Sequence, residues 1–211
     1  MLDLDRLEIV RGAFRLTANW SAGPGVTGIV GPSGGGKSTL LAAIGGFVAP
    51  RSGHIRWQGA EITGTAPKDR PVATLFQDHN LFPHLTVAQN VGLGLRPDLR
   101  AARDHADRIA EVLGQVGLAG MGNRRPGTLS GGQQGRVALA RVLLMERPVV
   151  LLDEPFSALD PDLRRDMLDL VDEVLAGRTV LMVSHAPDDI ERLAARVVEV
   201  RDGVARLPAP K

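Results

Sequence analysis

The nine residues GPSGGGKST, Gly31 to Thr39, are suited to holding phosphate. Glycines let the backbone close around an anion and aim successive N–H groups at it. A lysine ammonium can reach the β- and γ-phosphates of a nucleotide as a point charge, and the hydroxyl that follows it is a hard-oxygen ligand for Mg²⁺. The apolar run Val26 to Val30 leads in and a helical pattern leads out from Lys37, which is the strand, loop and helix context this chemistry needs. Gly31, Pro32, Ser33, Gly34, Gly35, Gly36, Lys37, Ser38 and Thr39 are therefore read as a nucleotide cradle, with Ser38 as a metal ligand. Of the 25 Lys plus Arg, only Lys37, Lys68 and Lys211 are lysine. A chain that uses arginine almost everywhere keeps lysine here, where a compact cation on a flexible stem serves better than a planar fork.

Two further groups extend the chemistry. Asp153 follows the apolar run Val149 to Leu152, so it falls at the carboxyl end of a buried strand, where open α/β sheets bind ligands, and it suits the Mg²⁺ shell. Alternation along an extended backbone turns the adjacent Glu154 away from it, toward a water attacking the γ-phosphate. In LSGGQ, Leu129 to Gln133, Ser130 is placed to cap a helix starting at Gly131, whose open N–H groups and positive dipole end suit another phosphate. One nucleotide needs only the first cradle. The second turn points to ATP shared between two subunits.

These groups require a scaffold of alternating strands and helices. Strand patterns cover Leu2 to Val10, Phe14 to Trp20, Val26 to Val30, His54 to Trp57, Val72 to Phe76, Val149 to Leu152 and Thr179 to Val183. Helical patterns run from Lys37 to about Phe47 and over Gly131 to Met145, Asp162 to Leu175 and Pro187 to Ala194, and a hairpin is expected around Asp202 and Gly203. Val87 to Gly117 is helical with a break at Gly92 to Pro97. The alternation predicts a mostly parallel, doubly wound α/β sheet.

Composition sets outer limits. At 211 residues and 44% hydrophobic content the chain can bury a full core, while a net charge of +1 argues against a nucleic-acid partner held by an overall basic field. The absence of cysteine excludes disulfides and thiolate metal sites, and His54, His79, His84 and His105 lack metal-ligand spacing. Acids interrupt the leucines of MLDLDRLEIVR, unlike a signal peptide, and no segment approaches the roughly 18 to 20 apolar residues of a membrane span. The expectation is a soluble protein on the cytoplasmic side whose membrane contact is made through a partner.

Taken in order, the Gly31 to Thr39 loop, LSGGQ, RVALAR from Arg136 to Arg141 and LLDEPFSALD from Leu151 to Asp160 resemble the ATP-binding cassette ATPases over nearly the whole chain. The resemblance implies a P-loop ATPase domain with a RecA-like, mostly parallel sheet core, an antiparallel β subdomain and a helical insertion at about 84–145, forming one domain over 1–211 with no C-terminal regulatory domain. It implies ATP and Mg²⁺ as ligands and a homodimer in which Ser130, Gly131, Gly132 and Gln133 of one copy meet ATP held by the other. By the same resemblance Gln77 senses Mg²⁺ and the transport partner, Ser157 to Asp160 cross the dimer interface, and His185, after VLMVS, contacts the γ-phosphate. RPVATLFQDHNLFPHLTVAQNVGLGL, Arg70 to Leu95, resembles importer ATPases and among them those of bacterial thiamine importers, with importers of polyamines, iron or another small solute, and then a non-transport cassette ATPase, as the alternatives. Transmembrane permease subunits and, indirectly, a periplasmic solute-binding protein are the implied partners. Leu81, Phe82 and Leu85 are candidates for an apolar seat against the permease, with packing inside the insertion as the competing reading.

Two departures stand out. Where the family places an aromatic to stack on adenine, this chain reads Val10, Arg11, Gly12. Arg11 is the candidate to hold the base through its guanidinium plane, with Phe14 as competitor and as an inward residue of the second strand. After LSGGQ stand Gln134 and Gly135 in place of the family's usual Arg-Gln.

Overall fold

The computed structural model describes residues 1–76, 78, 80–157 and 159–207. Ten strands form one mixed sheet in the order β5-β4-β1-β2-β10-β9-β3-β8-β7-β6. In chain order they are β1 (Leu2–Arg11), β2 (Phe14–Ala22), β3 (Gly25–Val30), β4 (Ser52–Trp57), β5 (Ala60–Glu61), β6 (Val72–Leu75), β7 (Val149–Asp153), β8 (Thr179–Val183), β9 (Ala194–Arg201) and β10 (Val204–Arg206). The helices are α1 (Lys37–Gly45), α2 (Val87–Gly92), α3 (Ala101–Asp104), α4 (Ala106–Gln115), α5 (Gly131–Leu144), α6 (Pro161–Val174) and α7 (Pro187–Leu193).

β9, β3, β8 and β7 pair in parallel, and β10 makes a short parallel contact on β2. β7 and β8 read as unbroken apolar runs because a central parallel strand is covered on both faces. β1 pairs antiparallel with β2 and β4, and β4 with β5. β1 shows how its sequence sets the register. Leu2 and Leu4 face the core, then Leu7 and Ile9 do, a slip of one residue in the alternation. The structure absorbs that slip at an irregularity between Leu4 and Leu7, where Arg6 has φ 47°, and so keeps all four side chains inside.

The chain divides into two compact units. The first comprises residues 1–74, 148–154 and 177 onward. Its core joins the inward side chains of β1 and β2 to Leu40, Leu41 and Ile44 of α1 and to Leu151, Leu181 and Val198 of the central strands. Each such buried aliphatic contributes about 1.5–3 kcal/mol relative to exposure. The second unit comprises residues 75–147 and 155–176 and packs α2, α4 and α6 against α5.

Several boundaries differ from the sequence reading. α1 stops at Gly45 because Gly46 turns left-handed at φ 85°. The helical stretch after Val87 breaks where expected, its first piece closing at Gly92, but the remainder is two pieces, α3 and α4. β5 is two residues long, too short to carry periodicity.

Arg70 holds the first unit together in a way its sequence context does not announce. It is buried, and its guanidinium donates to four carbonyls: Ala43 O at 2.8 Å, Ile44 O at 2.7 Å, Thr65 O at 2.8 Å and Thr63 O at 2.6 Å. Two of these, Ala43 O and Ile44 O, lie in the last turn of α1, the helix that rises from the phosphate loop. Burial among these dipoles lowers the Arg70 pKa. Arg70→Met removes every donor and leaves the carbonyls buried, so it is expected to lower stability by about 3 kcal/mol or more. A denaturant midpoint equal to that of the parent would show the network to be idle.

Candidate nucleotide-binding site

The phosphate loop lies between the end of β3 and α1. Lys37 is the first residue of α1 and is 5% exposed, with its ammonium donating to Gly31 O and Pro32 O at 2.9 Å each. Among the described residues it forms no close ion pair, so its direct hydrogen bonds go to carbonyl dipoles, with the Asp153 carboxyl acting on it only through space. An anion of the right reach is the natural addition to such a site. Gly36 caps α1 at φ 100°, and a Cβ there would run into the Phe14 ring, so both its backbone conformation and the close approach demand glycine.

Ser38 Oγ, one residue into the helix, donates to Asp153 Oδ1 at 3.0 Å. Asp153 ends β7 as expected. Its carboxyl pKa is raised, chiefly by burial; the Ser38 hydrogen bond opposes that rise, and nearby Glu154 adds to it. Two hard oxygens at this separation suit a small divalent cation.

Glu154 turns away from Asp153 for a different reason from the one the sequence suggested. It lies beyond β7, and its φ is 49°, in the left-handed region. A tight turn, rather than extended alternation, therefore separates it from Asp153. Its N–H donates to Val183 O at 3.1 Å and its Oε1 lies 2.7 Å from His185 Nε2. This backbone conformation costs a non-glycine residue about 1 kcal/mol or more, which suits a position fixed by function.

A cavity of about 400 Å³ is lined by Ser33, Gly34, Gly36, Lys37, Ser38, Thr39, Glu154 and His185, with Arg11 and Phe14 at its side. Arg11 is exposed. Phe14 packs on the core and also borders the cavity, which joins the two readings of that residue. Gln77 lies outside the described residues.

The remaining candidates belong to the second unit. Ser130 caps α5 as predicted, with Gln133 N–H donating to Ser130 Oγ at 3.3 Å and Ser130 N–H to Gln133 Oε1 at 3.1 Å, a full capping box. Gly132 is buried where a Cβ would lie 2.5 Å from Leu163. Gln134, unexplained by sequence, donates through Nε2 to Pro126 O and Leu129 O and so sews down the turn ahead of the helix. Asp160 caps α6, accepting from Leu163 N–H at 3.0 Å.

The apolar seat needs revision. Leu85 is buried and belongs to internal packing, whereas Phe82 stays exposed. The missed residue here is Asn90, fully buried on α2, which exchanges hydrogen bonds with the Phe82 backbone and donates to Leu85 O and Thr86 O. Its signal was a polar side chain at an inward helical position between Val87 and Val91. Among the described residues no helix is long and apolar enough to cross a membrane.

Comparison with known proteins agrees with this arrangement. The family model for ABC transporters matches residues 17–157. Relatives named thiamine import ATP-binding protein ThiQ include one from Cereibacter sphaeroides, 56% identical over 100% of this chain and 92% of its own length. Another, from Yersinia pseudotuberculosis, is 47% identical over 96% and 87%. Among solved structures, the dimeric bacterial ABC transporter cassette MJ0796 is 28% identical with a TM-score of 0.82, covering 97% of this chain and 96% of that one. The ADP conformation of the cassette MJ1267 is 25% identical with a TM-score of 0.87, covering 97% and 89%. The phosphate cradle, the helix cap at LSGGQ and these matches lead to one conclusion: the chain is an ATP-binding cassette of the ABC transporter family.

Proposed function

We propose that this cassette hydrolyses ATP to drive uptake of thiamine or a thiamine phosphate through a membrane permease. The observation that carries the hydrolytic reading is the set around the cavity: a buried ammonium hydrogen-bonded to two backbone carbonyls, the Ser38–Asp153 pair, and a carboxylate and imidazole 2.7 Å apart. The thiamine reading rests on the names of relatives at 47–56% identity.

In this reading residues 31–39 cradle the phosphates, and Lys37 exchanges its two carbonyls for phosphate oxygens. Ser38 and Asp153, with Gln77, would hold Mg²⁺, which neutralises phosphate charge when bound. Glu154 accepts a proton from the attacking water, and His185 fixes that carboxylate while its ring faces the γ-phosphate. Arg11 stacks on the base, beside the Phe14 edge. Two copies act together, the Ser130–Gln133 cap of one closing over ATP held by the other, with Asp160 at their interface. The pair works at the cytoplasmic face of the membrane, Leu81 and Phe82 meeting the permease and a periplasmic binding protein delivering solute. The whole of 1–211 acts as one cassette, with 84–145 as its helical insertion.

Three outcomes test this. Glu154→Gln keeps the cradle and loses the base, so turnover falls by about 10²-fold or more while ATP binding persists and ATP holds the chains as a dimer in sedimentation. Near-parental turnover would remove Glu154 from its role. Asp153→Asn tests the charged oxygen pair in the nucleotide-free chain. Asp153 binds its proton more tightly folded than unfolded, so stability falls as pH rises from its ordinary value of 3.8 through the raised one, and the full cost remains at neutral pH. The amide still accepts from Ser38, so Asp153→Asn should melt higher than the parent at neutral pH, with the gap closing in acid. A lower melting temperature at neutral pH would contradict this. Deleting the gene should abolish high-affinity uptake of labelled thiamine in a bacterium with no second importer, and unchanged uptake would overturn the substrate.

A further inference from the structure

The His185 ring contacts Glu154, but its side chain is 46% exposed, so little packing around it fixes its direction. That direction must come from its backbone, in the turn between β8 and α7. The preceding residue points the other way. Ser184 is 7% exposed, and its hydroxyl donates to Asp189 Oδ2 at 2.5 Å while accepting from Ala186 N–H at 3.1 Å. Asp189, in the first turn of α7, is 5% exposed. One hydroxyl thus joins the amide just after His185 to a carboxylate on the following helix. A hydrogen bond to a carboxylate in a buried setting is among the stronger ones a side chain can make. The bond from Glu154 N–H to Val183 O anchors the other half of the pair to the same strand end.

We propose that Ser184 and Asp189 are positioning residues that aim His185 at Glu154 and the cavity, without touching nucleotide themselves. This rests on the assignment of Glu154 and His185 to ATP hydrolysis. The hydroxyl clamps the turn from inside, so its loss frees the imidazole to swing while the phosphate cradle, on other elements, keeps its shape.

The test uses the full chain with ATP and Mg²⁺. Ser184→Ala and Asp189→Ala should each lower kcat by about tenfold or more and leave nucleotide affinity within about twofold. Ser184→Thr, which retains the hydroxyl, should recover most of the turnover. In a His185→Ala background Ser184→Ala should cost no more than about twofold, since the clamp acts through that ring. Parental kcat in both alanine variants, or an equal loss with and without His185, overturns the proposal. If Ser184→Ala does not fold, Asp189→Asn, which keeps an acceptor for the hydroxyl but removes its charge, is read in the same cycle and should lose kcat only when His185 is present. The NMR resonance of the His185 ring reads its contact with Glu154 without turnover. It should move in Ser184→Ala as it does in Glu154→Gln, and an unmoved resonance overturns the clamp. Absent turnover in the parent would instead overturn the hydrolytic assignment.

Discussion

A buried lysine ammonium hydrogen-bonded to two backbone carbonyls is the constraint around which the rest of the site is arranged. Desolvating a cation costs several kcal/mol unless dipoles or an anion replace its water, and Lys37 receives two carbonyls from its own loop. That geometry exists because β3 delivers the loop from the middle of a sheet covered on both faces and α1 carries the chain away behind it. The far end of α1 is in turn pinned by Arg70. A cation that phosphate can reach therefore depends on a second buried cation at the other end of the same helix.

Around that centre the carboxylates take separate parts because their backbones differ. Asp153 is still strand, faces Ser38, and has its pKa raised by burial. Glu154 is one residue later in a left-handed turn and faces His185. A single change of backbone conformation thus gives two adjacent carboxylates different partners. The imidazole is held to the same standard by its own turn, in which Ser184 faces inward and His185 outward.

The sequence made the cradle legible because glycine spacing, a lone loop lysine and flanking apolar runs are all local signals. Ser130 as a helix cap was legible for the same reason, and the structure adds the reciprocal Gln133 bond. What the sequence hid depends on turns and on long-range partners. Alternation gave Glu154 an extended backbone that the turn at φ 49° replaces. Nothing near Arg70 in sequence reveals carbonyls 26 and 27 residues away, and nothing near Leu85 reveals that it turns inward while Phe82 does not. Gln134 looked anomalous because its acceptors, Pro126 and Leu129, belong to a turn that periodicity cannot describe.

The central claim is that each working site combines the cradle of one chain with the Ser130 cap of another. Mixing two inactive chains tests it most directly. Lys37→Ala removes the cradle cation and Ser130→Arg blocks the cap, so neither alone should turn over ATP. A mixed pair contains one site with an intact cradle from the second chain and an intact cap from the first, and ATPase activity should reappear on mixing. A mixture no more active than its separate components would contradict the shared site.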